Sequence, residues 1–370
     1  MLSLKRQKKD SAAVGIDIEA GSIAAAEVRG RNGTAEIAAA GIEPLAAGAF
    51  HEGEIADPDS VVEALKSLFS ANKLSKQVRL GVGNQRVVVR TVRLPAIEDP
   101  KEMEAAVRFQ AQEQMPMPLD QAVLEHQVVG GVPAEEGGAP QVDVVVVAAR
   151  RDMVASFVGP LRRAGLEPVG VDLSAFGMIR ALAGVGSATG TDAEVGEDTA
   201  AMPARPQSAV LYCNVGDVMN LAVARGRACL FTRVATAGLE PIAGRLAGDR
   251  GLTTEHATQW LTHVGLERPV EEVEGDPAIL ADARRVLTEG AGSLVDALRL
   301  SLDYYGAQES AVPVERVVLS GPGSAISGLP AQMEAGIGLP IAPARPPALA
   351  AYDEGTAARL TLPYGLAQEA

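Results

Sequence analysis

One order of elements occurs twice in this chain, and it limits the fold more than any single motif does. VGIDIEAGSIAAAEVRG, Val14 to Gly30, reads as a strand, a short polar turn at Glu19–Ser22 and a second strand. TAEIAAAGIEPL adds a third strand after a turn at Arg31–Gly33, the spacing of a meander. In PDSVVEALKSLFSANK the residues Val61, Val62, Leu65, Leu68 and Phe69 recur at helical spacing. Asp57 and Pro58 mark the start of that helix, an N-cap followed by a proline whose missing amide costs nothing there. QVRLGVG then returns to a strand. Far down the chain SAVLYCNVG, VMNLAVARG and RACLFTRVAT repeat the three strands, with turns at Gly216–Asp217 and Arg225–Arg227. GLEPIAGRLAGDRG repeats the helix, and VERVVLSGPG is a strand running into a glycine turn. Two copies of strand–strand–strand–helix–strand predict an α/β fold of two related lobes facing a cleft. Residue identity between the copies is low, so the order of the elements carries the inference.

Between the copies lies extra material. RVVVRTVRLP is strand-like, DPKEMEAAVRFQAQEQ is a helix opened by Asp99 and Pro100, and MPMPLDQ stops it, since proline lacks the amide donor and disfavours helix in the residue before it. Strands AVLEHQVVG and QVDVVVVAAR, a helix MVASFVGPLRRAGL and a strand EPVGVDLSAF follow, a compact α+β module. GGVPAEEGGAPQ, 130–141, is expected to be a hairpin tip. Gly184 to Gln207, poor in large apolar side chains, is expected to be a flexible connection.

Composition excludes several functions. The chain has a net charge of -14 and no basic stripe, which argues against nucleic acid as the main partner. No run approaches the ~18 uncharged apolar residues of a membrane-spanning helix. The start, MLSLKRQKKD, is basic without the apolar core of a signal peptide. It is expected to be a disordered leader, a weak attraction to an anionic membrane being the alternative. Cys213 and Cys229 sit in different strands without metal-ligand spacing and are expected to be buried free thiols, as suits a reducing compartment. His51, His126, His256 and His263 are scattered, and neither HExxH, GxSxG nor GxxxxGK[ST] occurs, so metal hydrolysis, serine-nucleophile and P-loop chemistries are not encoded.

AVRFQAQEQMPMPLDQAVLEHQVVG, VVVVAARRDMVASFVGPLRRAGLEPVGVDLSAFGMIRAL, LRLSLDYY and the basic leader before VGIDI resemble the PilM family of type IV pilus assembly proteins, of the actin-like ATPase superfamily with the division protein FtsA. The resemblance covers nearly the whole chain. It implies an actin-like fold, two duplicated lobes around a nucleotide cleft, with an α+β subdomain inserted in the first lobe. The division expected is a leader at 1–13, first-lobe core at 14–85, insert at 86–170, return to the first lobe at 171–183, connection at 184–207 and second lobe at 208–370. It implies a cytoplasmic adaptor of the type IV pilus or a related pseudopilus, held at the inner membrane through other pilus assembly proteins. Its partner would be a PilN-like membrane protein whose cytoplasmic amino-terminal peptide is gripped near the insert. Arg108, Met115 and Met117 are the candidate partner-binding residues, although Met115–Pro118 reads equally as a helix stop with buried methionines.

The resemblance also implies an ATP and Mg²⁺ site, which this sequence keeps only in part. Asp17 would help hold the metal through water and Ser22 would approach the phosphates, while glycines let backbone amides do the same. But Glu19 stands where the family has glycine, and Ala24 where it has lysine. A carboxylate about 4 Å from a phosphate charge costs roughly 1 kcal/mol in water and about 4 at an effective dielectric near 20. The second loop has Asn214 for aspartate and keeps Gly216, and Gly238, opening the following helix, is a further candidate for contact with the nucleotide. Gly321 and Gly323 in LSGPGSAISGLP would leave room for the base, whereas Thr258 and Leu261 occupy places usually taken by ribose contacts. Asp17 and Asn214 also read simply as turn residues. With both loops eroded, the expectation is an adaptor with a weakened ATP site and little or no turnover. The alternatives are an active ATPase or phosphotransferase of the same fold, and an FtsA-like division tether, against which the tail TLPYGLAQEA speaks because it is no amphipathic anchor.

Overall fold

The computed structural model describes residues 13–30, 35–132, 140–185, 208–308 and 311–368. The expected leader, apart from residue 13, the connection from 186 to 207, and 133–139 of the expected hairpin tip lie outside the described residues.

The first lobe begins with β1 (Val14–Glu19), β2 (Ser22–Arg29) and β3 (Glu36–Pro44), a small hairpin β4 (Phe50–His51) and β5 (Glu54–Ile55), helix α1 (Pro58–Asn72) and strand β6 (Gln77–Val82). Asp57 caps α1 by accepting from the amides of Asp59 and Ser60, with Pro58 in the first turn. The insert follows: β7 (Val87–Pro95), α2 (Pro100–Gln114), β8 (Ala122–Val132) and β9 (Gln141–Arg150). Its antiparallel sheet has β9 in the middle, and α2 lays Met103, Val107 and Ala111 onto Val144 and Val146 of that sheet. Asp99 caps α2 as Asp57 caps α1. The chain returns through α3 (Arg151–Arg163), β10 (Glu167–Leu173) and α4 (Ser174–Leu182).

The second lobe comprises β11 (Ala209–Val215), β12 (Met219–Arg225), β13 (Ala228–Ala235), α5 (Leu239–Arg250), α6 (Thr254–Val264), α7 (Pro277–Gly306), β14 (Val314–Ser320), α8 (Leu329–Ile337), β15 (Ile341–Pro343) and α9 (Glu354–Ala367). The two large sheets have the same order. In the first it runs β10-β6-β1-β2-β3, in the second β15-β14-β11-β12-β13. In each, the opening three strands are antiparallel and the next two join parallel to the first. The duplication read from the sequence is thus present strand for strand.

Two expected boundaries move. The expected insert spans 86–170, but its sheet ends at Arg150. Met153, Phe157 and Leu161 of α3, spaced four apart, enter the first-lobe core with Val61, Leu65 and Leu68, and β10 pairs parallel with β6 at the edge of the first-lobe sheet. The expected second lobe spans 208–370, but α9 crosses back onto β1. Its backbone lies so close on β1 that a Cβ at Gly15 would collide with the Pro363 carbonyl. Arg79 donates to the carbonyls of Leu366 and Gln368 at 2.9 and 2.8 Å. Helices α9 and α4 meet through glycines, since a Cβ at Gly365 would strike the Gly177 carbonyl. Gly365→Ala is therefore expected to cost about 1–3 kcal/mol, the usual penalty for overpacking, read as a lowered Tm in calorimetry.

Candidate functional site

The turns that close β1–β2 and β11–β12 meet across the cleft, where the Ala20 amide donates to Asp217 and Glu19 lies over Gly216. In β1 the period-two alternation sends Val14, Ile16 and Ile18 into the first-lobe core. Gly15, Asp17 and Glu19 therefore point the other way, towards α9. On α9 the residues Arg359, Pro363 and Ala367 share one face at i, i+4, i+8. Gly15 receives the backbone of Pro363 and Ala367, and the two acids receive Arg359.

Arg359 is the residue that reading the sequence missed. Its Nη1 lies 3.2 Å from Asp17 Oδ2 and 2.7 Å from Glu19 Oε2. Its Nε donates to Ser22 Oγ at 3.2 Å and its Nη2 to the Ser22 carbonyl at 3.3 Å. The side chains are nearly out of water: 12% exposed for Arg359, 7% for Asp17 and 15% for Glu19. A signal was available. Arg359 is the only charged residue between Glu354 and Glu369, and a lone charge in an apolar helical run, if buried, must find partners.

Across the cleft, Asp217 accepts a hydrogen bond from the Ala20 amide in the first turn. Glu19 in turn fills the space over Gly216, where any Cβ would collide with its Oε1. Asn220 of β12 reaches Gly83 beyond the end of β6 in the same fashion. At the rim, His51 Nδ1 and Glu240 Oε1 are 2.5 Å apart, joining the β4–β5 hairpin to α5. That hydrogen bond and the charge of Glu240 hold the His51 imidazolium above its ordinary range.

Three carboxylates around one guanidinium cannot all ionise freely. Burial pushes Glu19 up to about 8, the charges of Asp217 and Asp17 adding to that while Arg359 opposes it. Burial likewise pushes Asp217 up to about 6 against the help of the Ala20 amide and Arg359. Asp17 is raised by burial too, with Arg359 working against the rise. Burial disfavours the Arg359 charge, yet the three acids outweigh it and hold its pKa above normal.

The other expected residues fall in two groups. Asn214 (2% exposed) lies under Gly321, whose φ of 80°, and the collision any Cβ there would make with the Asn214 amide, explain the glycine. Its Nδ2 donates to Ser320 Oγ at 3.3 Å. Gly323 makes room for Val215, and Gly238 for the Asp217 carbonyl. So each glycine read as space for phosphate or base is pressed against this chain's own atoms. Leu261 is in the second-lobe core, and the Thr258 hydroxyl donates back to Thr254 within α6 at 2.9 Å. Far away on the insert, Arg108 is exposed, but Met115 is 7% exposed and part of the insert core, and Met117 packs against it. The helix-stop reading of Met115 is the one its burial supports. Cys213 and Cys229 are both buried and unpaired.

A family model described as type IV pilus assembly protein PilM matches residues 15–360. The chain belongs to the PilM family. A solved PilM-PilN type IV pilus biogenesis complex matches at 27% identity and a TM-score of 0.73, covering 96% of this chain and 97% of that one. The ethanolamine utilization protein EutJ from Carboxydothermus hydrogenoformans matches at 12% identity and a TM-score of 0.52, covering 96% and 88%. MreB5 of Spiroplasma citri bound to AMPPNP matches at 12% identity and a TM-score of 0.48, covering 95% and 94%. The fold is that of the actin-like ATPases, as the paired sheets imply. Among the described residues no helix is long and apolar enough to cross a membrane.

A magnesium nucleotide does not fit the phosphate side of the cleft in this arrangement. Asp17, expected to hold metal-bound water, is paired with Arg359, and Ser22 accepts from the same guanidinium. The cavity that Asp17, Glu19 and Asp217 line is about 20 Å³, room for roughly one water. The unsatisfied buried oxygens nearby, Asn214 Oδ1 and Asn220 Oδ1, are acceptors: phosphate oxygens cannot satisfy them, whereas a donor such as water would.

Proposed function

We propose that this chain is a PilM-type adaptor on the cytoplasmic side of the inner membrane. It binds the cytoplasmic amino-terminal peptide of a PilN-like membrane protein in the groove between its insert and its lobes. The observation that carries this is the whole-chain similarity, insert included, to a PilM known in complex with PilN. Support comes from a groove of about 420 Å³, in the range of sites that enclose small ligands or peptide side chains. Its walls are β7 of the insert and β13 of the second lobe, each the outermost strand of its sheet. Val88, Phe231 and Tyr304 supply apolar lining, and Arg90 and Arg233 supply positive charge to an otherwise acidic protein. Such a slot suits an extended peptide. Arg108, exposed on α2, belongs to the outer rim of this surface in our reading, whereas Met115 and Met117 act by holding α2 on its sheet.

Membrane attachment in this reading comes through the partner. We assign no turnover, and ATP with Mg²⁺ is at most a weak ligand, because the acids that would serve the metal are engaged.

A labelled peptide of the cognate partner's first residues, titrated with the full chain in anisotropy, tests the reading. Val88→Asp is expected to weaken binding at least tenfold, about 1.4 kcal/mol, and Arg108→Glu to weaken it less. No binding by folded wild-type protein overturns the proposal. Met115→Ala is expected to cost about 2–5 kcal/mol of stability in the insert, seen as an early unfolding step in calorimetry.

A further inference from the structure

We propose that Arg359 is a resident cation of the cleft, standing where a metal–nucleotide complex would stand and tying the two lobes together without one. In a two-lobed protein of this kind a ligand closes the cleft only by touching both sides better in the closed state than in the open one. Here the contacts that span the cleft are made by the chain itself. Arg359 is anchored in the first lobe by Asp17 and both Ser22 oxygens. It holds Glu19 at 2.7 Å, and that places the Glu19 carboxyl over Gly216 of the second lobe. The same turn offers its Ala20 amide to Asp217. The guanidinium fork thus reaches the second lobe through one carboxylate held in a fixed direction, while a neighbouring amide binds the other.

The chemistry favours a plug over a phosphate clamp. For Arg359 to grip a phosphate it would have to leave Asp17 and Glu19, and the incoming anion would then face those two acids and Asp217. A lysine in its place would have the charge but not the planar fork that serves Asp17, Glu19 and Ser22 at once. Glu19, which looks in the sequence like damage to a phosphate loop, is in this reading half of a replacement for the nucleotide. The nucleotide arm of the proposal rests on reading these turns as former phosphate loops; the tie between the lobes rests on the geometry alone.

Hydrogen exchange of the full chain, followed by mass spectrometry with and without Mg²⁺-ATP, tests it. In the wild type without nucleotide, the segments 17–22 and 214–220 are expected to be protected, and Mg²⁺-ATP is expected to change their rates less than twofold. In Arg359→Gln both segments are expected to exchange at least tenfold faster, while β14 and β9 keep their wild-type rates. Tenfold slowing of both turns by Mg²⁺-ATP in the wild type would make nucleotide the closing ligand and overturn the proposal. So would unchanged turns in a folded Arg359→Gln. Should that variant exchange everywhere, Arg359→Lys replaces it: faster exchange confined to the two turns supports the tie, and wild-type rates there refute it. Peptide binding in the β7–β13 groove is not read by this experiment, so either proposal can fail while the other stands.

Discussion

Replacing Arg359 by methionine is expected to lower the unfolding free energy by about 3–5 kcal/mol, the range seen when one partner of a buried ion pair is removed. Solvent screening does not soften this much, since Arg359, Asp17 and Glu19 are 12%, 7% and 15% exposed. The loss comes less from the missing attraction than from what stays behind: acids out of water with no cation, and Ser22 oxygens with no donor. Glu19→Gln removes one of the acids left without its guanidinium partner. The double variant Glu19→Gln with Arg359→Met is therefore expected to be more stable than the sum of the two single changes predicts, by about 1–3 kcal/mol, as for residues in one network. Urea unfolding of the four proteins gives the cycle. Simple additivity would mean that Arg359 and Glu19 do not act together.

How much of this was legible depended on whether the signal was local. The duplicated strand order, the Asp–Pro starts of α1 and α2 and the buried faces of the strands follow from periodicity and caps, which are written in adjacent residues. The boundaries of the lobes were not local. α3 and β10 continue the insert in sequence but finish the first-lobe sheet in space. Likewise α9, assigned from the sequence to the second lobe, carries the cation of the site. Glu19 illustrates the consequence. From the sequence it counted as an uncompensated charge because the usual lysine was Ala24, and its partner lay on a helix at the far end of the chain. The glycines show the opposite error. Gly216, Gly321 and Gly323 do mark close approach, but the atoms that approach are Glu19, Asn214 and Val215. A glycine reports that space is needed without saying what occupies it.

The chain is also expected to lose stability as the pH rises from about 4.5 to about 8, with Glu19 a main contributor beside Asp17, whose pKa burial also raises. Glu19 has its pKa raised from an ordinary 4.5 to about 8 in the folded protein. Below 4.5 it is protonated whether folded or not, and the raised value contributes its full stabilisation. As the pH climbs towards 8 the unfolded chain gives up this proton first, so the folded state holds more protons and stability falls. Each unit of difference is worth about 1.4 kcal/mol, which makes the Glu19 share of the loss a few kcal/mol. Asp217, at about 6 against 3.8, adds a smaller loss at the acidic end of the window. The His51–Glu240 contact weakens in the same direction when the imidazolium deprotonates, and so does a chain of net charge -14 through self-repulsion. Those two contributions are common to wild type and Glu19→Gln, so the difference between the two proteins reads Glu19 together with the acids that face it, Asp17 and Asp217. Urea midpoints at pH 6 and 8.5 are expected to fall clearly in the wild type and far less in Glu19→Gln, which should be the more stable protein at pH 8.5. Equal losses in both would place the retained proton elsewhere. A glutamine that destabilised at pH 8.5 would mean that Glu19 is ionised there, and that its attraction to Arg359 outweighs the cost of burying it.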